Sequence, residues 1–406
     1  DRGLFIGDAH MKVNAEEWNV NSSSWVVTDA LGRTTPSANE IQKTQKDRFV
    51  GIFYHNWHHD FMNGTVNADR KAPRNVSQII RENDDALNNS RVWGPNISYH
   101  YWGEPLFGFY DLSVDEYVIR KHAQMLTDAG IDTIILDYSN YATSGVHSEA
   151  GYMRSSLKNI LDTFVKIRSE GGDTPGVVFL LTWNGEYNGP AVKRFYNDFY
   201  SKDEYKDLWF NWEGKPLILA QNTTVPDEIK DFFTYRKPHP LYTPVTEPNA
   251  WPWLSIYPQE PAYTATDDCE MVAVGVAQNW TDSLDFMSAQ DENGNFIARG
   301  RSYTVGGNNV LTNNPISPEY KSEYGANLQQ QFDRAIELDP EMILITGWNE
   351  WIAARFLEIP SWAASSKKEV PPFGGFCDVF STEFSRDAEP TRDCLLYTSP
   401  SPRDRG

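Results

Sequence analysis

Apolar residues in this chain fall into short runs separated by amphipathic stretches, and the alternation continues from residue 48 almost to the C-terminus. Phe49–Tyr54 is a first run of strand length, followed by the polar cluster His55, Asn56, Trp57, His58 and His59. Further runs at 132–137, 177–181, 216–220, 271–277 and 342–345 predict strands, and a less regular one lies at 253–257. Short, continuously apolar runs suit strands covered on both faces, as in parallel sheets. Helical spacing fills the gaps. Ser113 opens one helix as an N-cap, Glu116 completes a capping box three residues on, and Gly130 fits its C-terminal end. Others are predicted at 157–165, closed by Gly171-Gly172, and at 191–205, 227–233 and 328–338.

Strand and helix alternating over most of the chain predict an α/β protein, a (β/α)8 TIM barrel with long βα loops. No Gly-x-Gly-x-x-Gly follows a strand, so a dinucleotide fold has no support. Residues 1–47 are polar and irregular and read as an N-terminal extension, and 48–393 read as the barrel. Residues 394–406 change character abruptly into a string resembling translated adapter sequence, and read as a non-native tail.

Composition narrows the partners. A net charge of −20 over 406 residues argues against nucleic acid and anionic membranes, and makes sulfated or uronic polymers poor partners. No apolar run approaches the ~20 residues of a membrane helix. Fourteen Trp and twenty Tyr suit either a large aromatic core or a surface that handles sugars. Cys269, Cys377 and Cys394 show no metal-type spacing. The chain opens at Asp1 without a Met or a signal peptide and reads as a mature form or a fragment. It carries sequons at Asn21, Asn63, Asn75, Asn88, Asn96, Asn222 and Asn279, and secreted or periplasmic placement is expected, as is a monomer.

In a barrel of this kind, residues just past the strand C-termini build the site. That rule selects Tyr54 and His55; Asp137, Tyr138 and Asn140; Trp183, Asn184 and Glu186; Gln221; Gln278 and Asn279; and Trp348, Asn349 and Glu350. Amides donate to one hydroxyl and accept from the next, while ring faces cover sugar C–H surfaces, so a polysaccharide or oligosaccharide is the expected partner. Glu350, between Trp348 and Trp351, is set to be desolvated, which raises a carboxyl pKa. Glycoside hydrolysis needs two carboxyl groups. Glu350 is the first candidate, with Asp137 and Glu186 competing for the second role. Asp137 also fits an acceptor tying down a loop, and Glu186 a solvated loop charge. Residues 98–110 read either as a cover with His100, Trp102 and Glu104 facing substrate, or as an aromatic plug over the rim. His58 and His59 are adjacent and point apart, so no metal is predicted, and nothing calls for a cofactor. Acyl transfer lacks its Gly-x-Ser-x-Gly motif.

Thr346-Gly347-Trp348-Asn349-Glu350-Trp351 resembles the Asn-Glu-Trp signature of glycoside hydrolase family 71/99-like proteins. Segments 100–110, 119–138, 208–219 and 384–390 resemble the uncharacterised bacterial polysaccharide-utilisation branch of that group. The resemblance covers 48–391 and implies a barrel enzyme that hydrolyses glycosidic bonds. Its α-mannosidase members carry a second Glu three residues after the first, where this chain has Ala353. Only Glu350 carries over, and the mannosidase substrate and mechanism do not. Two alternatives follow. A non-catalytic carbohydrate-binding barrel would leave no strand-end carboxyl within about 10 Å of Glu350. A polysaccharide lyase would need a basic pocket beside Glu350, for which Arg355 is the nearest candidate in sequence.

Overall fold

The computed structural model describes residues 26–28, 32–36, 48–58, 74–139, 151–240, 242–278, 286–301, 303–305, 308–310, 325–360 and 369–392. Asn140, Asn279, His59, Cys394, the proposed tail and most of the N-terminal extension lie outside them.

Eight parallel strands follow one another around a nearly closed barrel: β1 (Phe49–Tyr54), β2 (Thr133–Tyr138), β3 (Gly176–Leu181), β4 (Lys215–Leu219), β5 (Thr234–His239), β6 (Ala250–Pro252), β7 (Cys269–Gly275) and β8 (Met342–Thr346). β8 pairs with β1, with Phe49 beside Met342, so the ring runs past the chain's own start. Between β6 and β7 sits a two-residue strand, Ala262–Tyr263, antiparallel to β7 and joined toward β6 by the Asn249 amide donating to the Tyr263 carbonyl at 2.9 Å.

Strand periodicity sorts the core. Phe53, Ile135, Val178, Leu180, Leu217, Leu219, Met342 and Leu344 form one cluster, with alternate residues on each strand facing the barrel interior. Their neighbours Ile52, Tyr54, Ile134, Leu136, Phe179 and Leu181 pack instead with helix residues such as Ile119, Leu126, Leu161 and Phe195.

Full helices cover four of the seven connections: α1 (Glu116–Asp128), α2 (Gly151–Ser169), α3 (Asn188–Phe195) and α4 (Ala326–Leu338). Among the described residues, β4 and β5 are joined through only the short Asp227–Lys230 turn of helix, and no helix separates β5, β6 and β7. α1 buries Val118, Ile119, His122, Ala123 and Leu126, a single face at helical spacing, and Gly130 ends it in a left-handed conformation (φ 77°). The capping box does not form. The Ser113 hydroxyl donates to Asp111 at 2.6 Å, and Glu116 is drawn to Arg120 and Lys166 on the surface.

The sequence pattern misses β5 and sets a strand at 253–257 in place of β6. β5 reads Thr-Tyr-Arg-Lys-Pro-His, and its Arg236 is buried only because an acid across the barrel meets it. A second sheet stands beside the barrel, ordering Gly375–Phe376, Ile352–Phe356, Ser98–Tyr101 and Arg74–Asn75. Its strand Ile352–Phe356 leaves β8 after only five residues, and those five contain Glu350.

Candidate active site

The alternation that points Phe53 and Ile135 into the barrel also carries His55 and Asp137, each two residues further on, to its C-terminal mouth. There the His55 Nε2 lies 3.6 Å from Asp137 Oδ2 and 3.5 Å from Glu350 Oε1. Asn349 fixes this arrangement by gripping the His55 backbone. Its side-chain carbonyl accepts the His55 amide at 2.8 Å, and its NH2 donates to the His55 carbonyl at 2.9 Å. The other Asp137 oxygen accepts the Ser139 amide at 2.8 Å.

Three further charged groups come from the C-terminal segment. Residues 386–389 run alongside 347–348, through Gly347 N–H to Arg386 carbonyl, Ala388 N–H to Gly347 carbonyl and Glu389 N–H to Trp348 carbonyl. This ladder delivers Arg386, whose Nη2 donates to Glu350 Oε2 at 2.5 Å and to Asp378 Oδ1 at 3.1 Å. It also delivers Asp387, which accepts the Glu350 amide at 2.5 Å and the Trp102 indole N–H at 2.7 Å. Sequence patterning missed Arg386, Asp387 and Asp378, because no strand or helical period marks their segment.

Burial dominates the electrostatics. It raises Glu350 above the usual carboxyl range, with Arg386 pulling the other way and Asp137 adding to the rise. It lowers His55 to about 4 despite the opposing Asp137 charge, so the imidazole is neutral near pH 7. It raises Asp387 to about 8, helped by the Glu350 charge and opposed by the two N–H donors. Burial alone would disfavour the Arg386 cation, but Glu350 and Asp378 outweigh it and hold the guanidinium charged.

Several predicted residues turn out to be scaffolding. Tyr54 and Tyr138 have the outward strand phase. The Tyr54 hydroxyl bonds His122 at 2.8 Å, and the Tyr138 hydroxyl accepts from Asn56 at 2.7 Å. Residues 98–110 form a packed cap rather than a substrate-facing cover. His100 is buried with both ring nitrogens on main-chain carbonyls, and Trp102 stacks on Trp351 at 4.4 Å behind Asp387. Glu104 is paired at the surface with Arg392. Gln278 is fully engaged by the Tyr257 amide and Asn327, and Gln221 braces the β3 and β4 ends by donating to the Trp183 carbonyl. Trp348 lies buried against the edge of His122 instead of presenting a face to a cleft. Glu186 is exposed on a short 3-10 turn, where its amide donates to Asn184, and none of its contacts reaches Glu350. Asn184 is the cap of that turn, equally exposed. Arg355, the cation considered for a lyase, is buried away from the site and donates to the carbonyls of Phe373, Gly94 and Ser90.

Rings do approach the carboxylates, though mostly not those expected. Trp57 stacks on His55 at 5.4 Å. On the other side Trp253 stacks on Phe53 at 6.1 Å and meets Trp183, which is 46% exposed. A solvent-facing indole thus begins a row of rings that ends at His55.

No family model matches the chain, and no curated protein does. Among solved structures, it is similar to the GH99 endo-α-mannosidase of Bacteroides thetaiotaomicron. In the complex of that enzyme with BIS-TRIS-propane the identity is 15% and the TM-score 0.41, over 76% of this chain and 85% of the other. A second structure of the enzyme gives 14% and 0.39, over 76% and 86%.

Proposed function

We propose that the protein is a glycoside hydrolase in which Glu350 is one of the two reacting carboxyl groups. The observation that carries this reading is the setting of Glu350 at the C-terminal mouth of the barrel. It is buried, held by a single guanidinium, and accompanied by other carboxylates in the same small space. Asp137 and Glu350 both approach His55 Nε2, so their nearest oxygens are separated by no more than those two contacts end to end, about 7 Å. A barrel that only binds sugar has no use for two carboxyls at this range, whereas bond hydrolysis requires them. The lyase alternative loses its footing because Arg386, the cation of the site, is already committed to two carboxylates.

Release of reducing ends from a panel of defined glycans tests the reading. Glu350→Gln keeps the shape and the Arg386 contact while removing the acid, and is expected to cut turnover by about 10^3-fold. Full activity in that variant on a glycan the protein cleaves would remove Glu350 from the chemistry.

A further inference from the structure

Asp378, like Asp387, is a carboxylate of this site that the sequence pattern did not single out; Asp387 has both oxygens engaged, by the Glu350 amide and the Trp102 indole. The strand Gly375–Phe376 pairs antiparallel with Ile352–Phe356, setting Phe376 across from Arg355 and Gly375 across from Phe356. Asp378 follows two residues after that pairing ends. The chain leaves the sheet there in a tight turn. The Val379 amide donates to the Cys377 carbonyl at 2.5 Å, and Asp378, between them, has a left-handed backbone (φ 58°). A γ-type turn with a non-glycine residue in that conformation is strained, and strain of this kind concentrates where a side chain must be aimed.

The two possible partners of Glu350 differ in what their oxygens are doing. Asp137 spends one oxygen on its own turn, faces His55 with the other, and has 13% of its side chain exposed. Asp378 has one hydrogen bond, from Arg386, and 45% of its side chain exposed. Because Arg386 Nη2 touches both Glu350 Oε2 and Asp378 Oδ1, those oxygens are at most about 5.6 Å apart, the two contacts end to end. This bound on the nearest oxygens admits the roughly 5–5.5 Å carboxyl separation of direct attack on the sugar, and the stereochemistry of the product decides between that and attack by water.

Resting on the hydrolase reading above, we propose that Asp378 is the second catalytic carboxyl, acting as the acid and base, while Glu350 is the nucleophile and Asp137 positions His55. Arg386 gives its shorter hydrogen bond to Glu350, which favours the ionised form of that residue. Burial and the Glu350 charge push Asp378 up, so it retains its proton to higher pH than an ordinary aspartate. Glu350 forms a bond to the anomeric carbon as the glycosidic C–O bond breaks, and the Asp378 proton passes to the leaving oxygen. Water then adds its oxygen to the anomeric carbon, its proton returns to Asp378, and the bond to Glu350 breaks. Substrate and water become two sugars with retained configuration.

Two measurements test this. On a glycan the protein cleaves, Asp378→Asn is expected to lower kcat about 10^2- to 10^4-fold and to abolish the alkaline limb of the pH profile, with Asp378→Glu restoring part of both. Asp137→Asn is expected to cost less, and the first product seen by NMR to keep its anomeric configuration. An inverted product, or an Asp378→Asn enzyme with unchanged kcat and pH profile, overturns the proposal. The second measurement needs no substrate: the Asp378 carboxyl is titrated by 13C NMR in the parent protein and in Glu350→Gln. Its pKa is expected to fall once the Glu350 charge is gone, and an unchanged titration overturns the pairing. If no glycan is cleaved, the hydrolase reading fails, and the titration still decides whether the two carboxyls form a pair.

Discussion

Two buried arginine–carboxylate pairs stand at opposite ends of one barrel and are built on opposite terms. At the N-terminal end, Glu270 of β7 meets Arg236 of β5. The Arg236 Nε donates to both Glu270 oxygens at 2.9 Å, and the indole N–H groups of Trp212 and Trp251 donate at 2.9 and 2.8 Å. The rest of Arg236 is taken up by the Tyr235 carbonyl and Glu213. At the C-terminal mouth, Glu350 has one guanidinium contact on one oxygen, while its other oxygen stands 3.5 Å from His55. The Arg386 Nε and the His55 Nδ1 are buried without a hydrogen-bond partner among the described residues. The first pair has exhausted its hydrogen-bonding capacity and can only hold the barrel together. The second keeps unspent donors and acceptors, which a folded protein tolerates at a cost and a substrate can satisfy. Charge and burial are common to both ends. Saturation separates scaffold from site.

Removing one partner at each end is the strongest way to break this contrast. Glu270→Ala leaves Arg236 and two indole N–H groups buried without their acceptor, and is expected to cost about 3–5 kcal/mol of unfolding free energy in a denaturant titration. Glu350→Gln, by the same titration, is expected to change stability by less than about 1 kcal/mol, because the amide oxygen still accepts from Arg386 and a repelled charge is lost. Equal destabilisation by the two variants would erase the distinction.

A smaller effect sharpens it through pH. The folded-state pKa of His55, about 4, lies below the ordinary value of 6.5. Folding therefore resists its protonation, so the associated stability is present above pH 6.5 and is lost as pH falls toward 4. The loss amounts to about 3 kcal/mol. His55→Asn is expected to lose correspondingly less stability than the parent between pH 7 and pH 4, and parallel curves would contradict the neutral, desolvated imidazole. Smallest of all, Trp183→Ala removes the exposed ring at the end of the aromatic row. It is expected to raise KM for a long glycan several-fold, about 1 kcal/mol, with kcat for a short aryl glycoside unchanged. An equal loss on both substrates would place Trp183 at the reacting sugar instead.

Local pattern was a good guide to whatever depends on local pattern. β1, β2, β3, β7 and β8 are apolar runs whose strand character needs no partner to be seen. The rule that strand ends build the site selected His55, Asp137, Asn349 and Glu350, which the fold brings together at one end of the barrel. The same rule overreached at Tyr54 and Tyr138, which sit at strand ends but in the outward phase, a distinction visible only once Phe53 and Ile135 are known to face inward. It overreached again at Gln278, and of the two readings of 98–110 the packed plug holds over the substrate-facing cover, because the polar atoms of His100 and Trp102 are spent inside the protein. β5 escaped notice because Arg236 looks solvated until Glu270 is placed across the barrel from it.

By itself, then, the sequence determined the apolar strands β1, β2, β3, β4, β7 and β8 and the place of Glu350 just past the last of them, since these follow from local runs and spacing. Only the tertiary structure decided what surrounds that acid. Arg386, Asp387 and Asp378 reach Glu350 across 28 to 37 residues of chain, through main-chain pairing with 347–348 and with the outer sheet. Which polar groups are satisfied and which are left open depends on contacts between distant segments, and no periodicity along the chain records them.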